Sequence, residues 1–395
     1  MNHTLHDIPE TARLFEIPES KGGHLATLTE ILQQPATWRQ TANQIAALFP
    51  TLAESFASVQ AYILTGSGSS EYAGDCVRPF LQRRLNATIQ TIGSGTILTD
   101  GIDLLSPARP ALMISFARSG DSPESLGALE KVVSLDPAIQ QLTITCNREG
   151  QLARRAAKGT DLQAIVLAEK TNDRSLVMTS SFTNMVLAAL SLGFRGAVTE
   201  YVQFADALSI CAESILQQSF TKLPAIANLH FHRAFYLADA SAYGAAREAA
   251  LKMTEMTAGR VMTASETYLG LRHGPMSAVD SQTLVICFLS SDPIRRSYEC
   301  DLIEELNAKQ LGIAKVIVGA DIPTELLQGD DLALDHQGFA AVGDDGAAIL
   351  HVLVGQVLAF YRCMREGLRP DAPSASGVIN RVVQKFRLHG ISGHE

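Results

Sequence analysis

The sequence predicts an α/β protein built from two tandem, doubly wound parallel-sheet domains with helices on both faces, and three observations support this fold class. The chain has 395 residues, of which 46% are hydrophobic, and a single core rarely grows beyond about 250–300 residues. Short apolar runs rich in β-branched residues alternate with segments of helix length, which is typical of strands buried on both faces of a parallel sheet. The runs of the first half recur in the second half at a nearly constant offset, which indicates a duplicated domain.

Each half of the chain contains five apolar runs that we interpret as strands. In the first half they begin at Ala61, Ala87, Ala111, Gln141 and Gln163. In the second half they begin at Ala234, Val261, Thr283, Lys315 and Asp331. Corresponding runs are 168 to 174 positions apart. Because parallel α/β sheets bind ligands beyond the carboxyl ends of their strands, we expect the functional residues in the loops that follow these runs.

Helical segments and a tail flank the two predicted domains. We expect an amino-terminal helical segment over 1–45, a first domain over 46–205, a second domain over 206–370 and a carboxyl-terminal tail over 371–395. Between the halves, Val198 to Leu223 is predicted to form a helix that ends at Pro224, because proline lacks the backbone N–H that continues a helix. The tail contains a strand-like run from Val378 to Phe386.

Charge and targeting patterns limit the partners and the location that we expect. The 32 basic and 41 acidic residues give a formal net charge of −9, which argues against nucleic acid as a partner. The first residues resemble no secretory signal, and the longest apolar run, Ala347 to Phe360, is interrupted by His351 and Gln356 before it approaches the ~18 residues of a membrane span. The six cysteines lack the spacing of a metal site. We therefore expect a cytoplasmic protein with reduced thiols and without a membrane partner.

A loop rich in glycine and serine follows the first predicted strand. Its residues Gly68, Ser69 and Ser70 offer backbone N–H groups and hydroxyls where a helix begins, and this combination attracts phosphate. A tight turn with a serine cap would explain the glycines but not so many hydroxyls. A dinucleotide fingerprint would need glycine or alanine in place of Glu71, so we favour a phosphate site.

A second hydroxyl-rich loop follows the third predicted strand and contains Arg118, Ser119 and Ser122. Ser122 is a candidate N-cap, because Pro123 would occupy the first helical position, where no backbone N–H is needed. The carboxylate of Asp121 is expected to point away from an anion and to support the loop. Since the first and third strands of such a sheet are commonly neighbours, both loops are expected to face one phosphate.

A third polar cluster includes Thr179 and Ser180 and precedes an apolar helix that we predict from Met185 to Leu192. Hydroxyls at this place have two uses. They cap the helix, or they complete a sugar site, and the sequence leaves both interpretations open.

The second half has no comparable phosphate loop, but one of its helices carries Glu248, Lys252 and Glu255 on one face at positions i, i+4 and i+7. A solvated stripe with a Glu–Lys pair is one interpretation. The other follows from the alanine, leucine and methionine neighbours, since burial disfavours the charged form of a glutamate and suits it for proton transfer near neutral pH. His273, which precedes a Gly-Pro pair, is a second candidate for proton exchange, although a core histidine is also possible.

Taken together, these motifs resemble the sugar isomerase (SIS) family, and the resemblance covers both halves of the chain. The arrangement is similar to the isomerase domain of glucosamine-6-phosphate synthase. The loops of Ser69 and Ser119 resemble the two phosphate-binding loops of the family, although Ala117 replaces a serine that is usual there. The helix with Glu255 resembles the one that bears the isomerising glutamate, and the segment at His273 resembles the one whose histidine assists ring opening from the neighbouring subunit of a dimer.

Two further features narrow the resemblance. No glutaminase domain is expected before the SIS pair, and the active-site lysine near the family's carboxyl terminus is replaced near Asn380 and Arg381. The tail, the cluster at Thr179 and the chain length are most similar to the AgaS-type branch of the family. These proteins are associated with the catabolism of N-acetylgalactosamine.

The resemblance implies an enzyme that converts D-galactosamine 6-phosphate to D-tagatose 6-phosphate and ammonia, with Glu255, His273 and Lys252 as catalytic residues. The substrate-binding residues that it implies are Gly68, Ser69, Ser70, Arg118, Ser119, Ser122, Thr179, Ser180, Glu248, Asn380 and Arg381. It also implies a homodimer with a shared active site, and no metal or organic cofactor. Three alternatives remain: an aldose–ketose isomerase without deamination, a sugar-phosphate deglycase, and a non-catalytic SIS sensor of sugar phosphates.

Overall fold

A computed structural model describes residues 22–56, 58–158, 162–374, 376–384 and 386–389. Its ten strands are β1 (Ala61–Thr65), β2 (Thr88–Thr91), β3 (Ala111–Ala117), β4 (Ile139–Thr145), β5 (Leu162–Val166), β6 (Arg233–Leu237), β7 (Met262–Glu266), β8 (Thr283–Phe288), β9 (Ala314–Gly319) and β10 (Leu332–Asp335). Each begins within two residues of a predicted run. They form two five-stranded parallel sheets, in the orders β2-β1-β3-β4-β5 and β7-β6-β8-β9-β10. The predicted fold class is thus confirmed.

Helices connect these strands and lie on both faces of the sheets, as doubly wound connections require. They are α1 (Leu25–Leu32), α2 (Gln34–Ser55), α3 (Ser69–Arg84), α4 (Ser94–Asp100), α5 (Pro123–Leu135), α6 (Gln151–Lys158), α7 (Ser180–Leu190), α8 (Val198–Ala227), α9 (Ser241–Met256), α10 (Tyr268–Leu271), α11 (Pro293–Ala308), α12 (Gly338–Ala341) and α13 (Gly343–Arg365). Helix α1 and the first part of α2 lie within the predicted amino-terminal helical segment 1–45, but α2 continues beyond it to Ser55. Residues 1–21 of that segment lie outside the described residues.

The chain divides into two compact units, and each contains one sheet. The first unit comprises Ala36–Asp173, Ser180–Asp206 and the tail from Ile379. The second comprises the residues up to Pro35, Arg174–Thr179 and Ala207–Val378. In the first sheet Ala61 is paired with Ala111, and in the second Arg233 is paired with Thr283. Both partners are shifted by 172 positions, so the duplication preserves the strand register.

Burial on both faces explains why the strands could be recognised from apolar runs alone. Every residue of β1, β3, β8 and β9 is buried. Strands covered by helices on both sides need apolar side chains at successive positions rather than at alternate ones. Their carboxyl ends form one edge of each sheet, where the loops after β1 and β3 lie side by side.

Three sequence-based assignments of secondary structure were wrong. Helix α8 continues through Pro224 to Ala227, because the Phe220 carbonyl, which a proline cannot bond, accepts a hydrogen bond from the Tyr361 hydroxyl at 3.3 Å. Helix α7 begins at Ser180 instead of Met185. The run from Val378 forms no strand within 376–384 and 386–389, since it pairs with no sheet edge there.

Helix α13 is the one described helix that is long and apolar enough to cross a membrane, and 94% of its most apolar window is buried within the fold. The polar residues His351 and Gln356, which interrupt the apolar run in the sequence, are themselves buried within this helix. A Cβ on Gly355 would lie 2.5 Å from the Cβ of Ala249, so this glycine permits close packing against α9. The helix is therefore placed as the core helix of the second unit.

Candidate active site

The loop after β1 brings polar groups to the carboxyl edge of the first sheet. An added Cβ on Gly66 would lie 2.5 Å from the backbone carbon of Ser70, so only glycine allows this turn. Gly68 has φ +56° and precedes Ser69, the first residue of α3. Ser69 and Ser70 are buried. The loop thus combines a helix N-terminus with hydroxyls, as an anion site requires.

The loop after β3 is built as the sequence predicted. Ser122 caps α5 by accepting the Ser125 N–H at 3.4 Å, and Pro123 is the first helical residue. The Asp121 carboxylate accepts the Gln151 N–H at 2.9 Å, so it supports the loop by holding the start of α6. The Ser119 hydroxyl accepts the N–H of Asp121 at 3.3 Å.

Two serine hydroxyls at this edge lack partners, although the sequence analysis did not assign them to the site. Among the described residues, Ser67 Oγ and Ser115 Oγ are buried and make no hydrogen bond to the protein. Ser67 lies in the loop after β1, and Ser115 lies near the end of the neighbouring strand β3. Buried hydroxyls normally find a partner, so these two are further candidate ligands for a polar substrate.

Arg118 and Arg381 meet in the same unit, where the tail returns to the sheet. Arg118 is 7% exposed and donates to the Arg381 carbonyl at 2.6 Å. The Arg381 guanidinium donates to the Asp173 carbonyl at 2.7 Å and to Asn172 Oδ1 at 2.6 Å. Asn380 is exposed beside it. The structure therefore brings the two predicted arginines together and anchors Arg381 on the Asn172–Asp173 turn.

The serines at the start of α7 have a capping role in the structure. The Asp173 carboxylate accepts hydrogen bonds from the N–H and hydroxyl of Ser180 at 3.2 and 2.6 Å, and from those of Ser181 at 2.9 and 2.5 Å. Thr179 and Ser180 are fully buried. This geometry favours the capping interpretation for Ser180. Asp173, seven residues earlier, was missed because capping residues usually lie next to the helix that they cap.

In the second unit, helix α9 carries the predicted ionic group. Lys252 is fully buried and lies between two carboxylates: it donates to Glu255, and its Nζ is 3.3 Å from Glu248 Oε1. Glu248 is also fully buried, whereas the Glu255 side chain is 23% exposed. The solvated-stripe interpretation is therefore wrong for Glu248 and Lys252. Because Glu255 alone keeps access to solvent, it is the member of this group that a substrate can reach.

His273 lies on an exposed turn between α10 and the short 3₁₀ helix that starts at Pro275. Gly274 has φ +125°, a conformation that favours glycine. The preceding residue, Arg272, is held by Glu305 at 2.6 Å. The turn thus fixes its backbone and leaves the imidazole accessible, so His273 is not the buried core histidine that the sequence also allowed.

Most of the cysteine thiols that the structure describes are buried. All six are free, and Cys76, Cys146, Cys287 and Cys363 are buried. Burial raises the pKa of the Cys146 thiol to about 12. Such thiols are protonated at neutral pH and are poor nucleophiles.

Comparisons with known proteins agree with this architecture. No protein-family model matches the chain. The D-galactosamine-6-phosphate deaminase AgaS of Escherichia coli O157:H7 is 33% identical over 368 residues, which cover 92% of this chain and 95% of that protein. The chain belongs to the AgaS family. A tagatose-6-phosphate ketose/aldose isomerase from Escherichia coli has the same fold, with a TM-score of 0.81 and 30% identity over 90% of this chain and 97% of that one.

More distant relatives place the AgaS family among the tandem SIS proteins. The glutamine–fructose-6-phosphate aminotransferase of Pyrobaculum aerophilum is 26% identical, over 92% of this chain and 59% of that protein. The C-terminal domain of glucosamine-fructose-6-phosphate aminotransferase from Francisella tularensis shares the fold, with a TM-score of 0.73. The resemblance to the SIS family and to its AgaS-type branch is thereby confirmed.

Proposed function

We propose that the protein converts D-galactosamine 6-phosphate and water to D-tagatose 6-phosphate and ammonia. The observation that carries this proposal is the Glu248–Lys252–Glu255 group on α9, in which a buried lysine binds a partly exposed carboxylate. The AgaS relative supports it, because that protein is a D-galactosamine-6-phosphate deaminase and aligns over nearly the whole chain.

The phosphate is proposed to bind at the carboxyl edge of the first sheet. Ser69, Ser70, Ser119 and Ser122 would donate hydroxyl or backbone N–H groups to it. The N-termini of α3 and α5 add the positive ends of their dipoles. Binding energy from a phosphate remote from the reacting carbons would position the sugar for proton transfer.

The chemistry is proposed to proceed by proton transfer on the open-chain sugar. His273 moves the proton that opens the pyranose ring and frees the C1 aldehyde. Glu255 then removes the C2 proton while the aldehyde oxygen gains one, which gives an enolamine. Glu255 returns its proton to C1 and leaves an imine at C2. Water hydrolyses this imine, so that C2 becomes a ketone and nitrogen leaves as ammonia.

Lys252 is proposed either to orient the Glu255 carboxylate or to stabilise the oxyanion that develops at C1. Its burial supports both roles, because a charge in a water-poor site acts more strongly than one in solvent. Glu248 would hold the lysine in place from the other side. Arg118 and Arg381 are proposed to shape the substrate site of the first unit. Proton transfer of this kind requires no metal or organic cofactor.

The second candidate function is aldose–ketose isomerisation of a hexose 6-phosphate without loss of nitrogen. One observation favours it: the Escherichia coli structure of the same fold is a tagatose-6-phosphate ketose/aldose isomerase. The two reactions use the same acid–base group and differ only in whether an imine forms at C2. Release of ammonia therefore discriminates between them.

We further propose that the protein is a cytoplasmic homodimer that acts in amino-sugar catabolism. The exposed turn of His273 supports the dimer, because an accessible imidazole can serve the site of a neighbouring subunit, as it does in the SIS family that the chain resembles. Sedimentation velocity of the purified chain tests this assembly, and a monomer at the concentration of the activity assay would contradict it.

The experiment that tests the function incubates purified protein with galactosamine 6-phosphate, glucosamine 6-phosphate and galactose 6-phosphate in parallel. Ammonium and ketose are measured in each reaction. We expect stoichiometric ammonium and tagatose 6-phosphate from galactosamine 6-phosphate. Ketose from galactose 6-phosphate without ammonium from either amino sugar would favour the isomerase instead.

A further inference from the structure

The duplication extends beyond the strands to the loops that follow them. Gly68 has φ +56° and ψ −125°, and Ala240, 172 positions later, has φ +51° and ψ −128°. Each precedes the serine that starts a helix, Ser69 in α3 and Ser241 in α9. An alanine in this region of φ is strained. Its retention means that the second unit has kept the turn on which the first unit builds its proposed phosphate loop.

The second loop leaves its strand in the same register, although it is two residues shorter before the proline that starts its helix. Since Ala111 corresponds to Thr283 by strand pairing, Arg118 and Ser119 correspond to Ser290 and Ser291. These two serines follow β8 and precede the N-terminus of α11, as Ser119 precedes that of α5. The second unit therefore also places hydroxyls from two adjacent loops at the carboxyl edge of its sheet.

In the second unit these donors bind carboxylates of the chain itself. The Ser241 hydroxyl donates to Asp345 Oδ1 at 2.5 Å. The N–H and hydroxyl of Ser291 both donate to Asp344 Oδ1 at 2.7 Å. Ser290 Oγ and, at 2.5 Å, Arg295 Nη1 donate to Asp344 Oδ2. Five donors from two loops and α11 thus converge on two neighbouring carboxylates at the start of α13.

The charges around this group suit an anion. Burial alone would raise the pKa of Asp344, but the bonds from Ser290 and Ser291 and the charge of Arg295 together lower it, so the carboxylate is ionised at neutral pH. Asp292 nearby is already used as the cap of α11, where it accepts the N–H of Ile294 at 3.1 Å and that of Arg295 at 3.0 Å.

Glu299, whose Oε2 accepts the Ser290 N–H at 2.8 Å, adds no full negative charge at neutral pH. Burial raises its pKa to about 8, against the opposing effects of that hydrogen bond and of Arg296. Burial also raises the pKa of Asp239. The donors therefore face the ionised carboxylate of Asp344 and the neighbouring carboxylate of Asp345, and a dianionic phosphate would find a similar set of partners there.

We propose that the second unit contains an anion site equivalent to the phosphate site of the first, which Asp344 and Asp345 fill from within the chain. Removal of both carboxylates would open it to inorganic phosphate or a phosphate monoester. The equivalence of the two sites rests on the phosphate role proposed above for the loops of Ser69 and Ser119. The hydrogen-bond donors of the second site are contacts within the second unit and do not depend on that role. In the natural protein the filled site leaves one phosphate site per chain.

The test compares wild type with the double variant Asp344→Ala/Asp345→Ala by isothermal titration with inorganic phosphate in chloride buffer of constant ionic strength. We expect one site in wild type and two in the variant. A third substitution, Ser291→Ala, is expected to weaken the additional site about tenfold or more, since it removes a hydrogen bond to a charged ligand. The matched control is Asp301→Ala/Asp330→Ala, which removes two exposed carboxylates and is expected to add no site.

The proposal is decided by the number of phosphate sites in the double variant compared with wild type. An unchanged number would overturn it. If wild type binds no phosphate, that result counts against the phosphate role of the first unit. A phosphate site that is present only in the double variant would still test the proposal for the second unit. If the double variant does not fold in chloride, refolding in phosphate at equal ionic strength replaces the titration. The proposal is supported if the double variant folds in phosphate and the added Ser291→Ala substitution abolishes this recovery. It is overturned if the double variant fails to fold equally in chloride and in phosphate.

Discussion

Glu255→Gln removes the ability of this side chain to accept a proton but keeps its length and its capacity to bind Lys252. General acid–base catalysis contributes about 10²–10⁴-fold to a rate, which corresponds to roughly 3–5 kcal/mol of activation free energy. We therefore expect kcat for ammonia release to fall by about 100- to 10,000-fold. The free energy of unfolding should change by no more than about 1 kcal/mol, because the side chain is 23% exposed and Lys252 keeps Glu248 at 3.3 Å.

A coupled assay for ammonium and a urea titration measure these two quantities on the same preparation. Glu366→Gln is the matched control, since Glu366 is 22% exposed and also ion-paired, to Arg362 at 2.8 Å. We expect this control to keep near wild-type kcat. Near wild-type turnover by folded Glu255→Gln would refute the role of Glu255 as the proton carrier, and an equal loss in the control would show that the effect is not specific.

Four further substitutions separate catalysis from stability. Lys252→Met should destabilise the fold by roughly 3–5 kcal/mol, because the fully buried Glu248 loses its cation; urea unfolding measures this, and the double variant with Glu248→Gln should recover part of the loss. Ser119→Ala should raise KM about tenfold with little change in the free energy of unfolding. Ser122→Ala should lower the free energy of unfolding by about 1 kcal/mol, because it removes a helix cap. Equal effects of the two substitutions on KM and on urea unfolding would contradict these assignments. Glu299, whose pKa is raised from 4.5 to about 8 by burial, stabilises the fold fully below pH 4.5 and loses this contribution as pH rises through 8. Glu299→Gln should therefore reduce the fall in the free energy of unfolding between pH 4.5 and about 8. One titrating group contributes at most about 1.4 kcal/mol per pH unit to this fall, and an unchanged slope in the variant would exclude the raised pKa of Glu299.

The strands and the serine loops could be predicted because their signals are local. A strand buried on both faces must be apolar along its whole length, and β3 and β8 are buried at every position. The cap at Ser122 was predictable for the same reason, since serine followed by proline is a helix start within two residues. The positions of Glu248, Lys252 and Glu255 on one face follow from helical periodicity alone.

The remaining features depend on partners that are distant in sequence. The hydroxyl that lets α8 pass Pro224 belongs to Tyr361, and nothing near the proline indicates it. The serines of α7 are capped by Asp173, which is separated from Ser180 by a turn. Pairing of this kind needs the folded chain, because only tertiary contacts decide which of several polar groups a buried hydroxyl meets.

The proposed roles of the two halves differ although the scaffold is the same. In the first unit the hydroxyls of Ser67 and Ser115 remain without protein partners among the described residues, as groups kept for a ligand would. In the second unit the corresponding edge is occupied by Asp344 and Asp345, and Glu255, at the end of α9, is the partly exposed acid–base candidate. A helix whose first residue is held by an internal carboxylate has less freedom to shift than one held by a substrate. We propose that the bond from Ser241 to Asp345 restrains the start of α9 in the absence of substrate, which would suit a proton carrier that must meet C2 and C1 in turn.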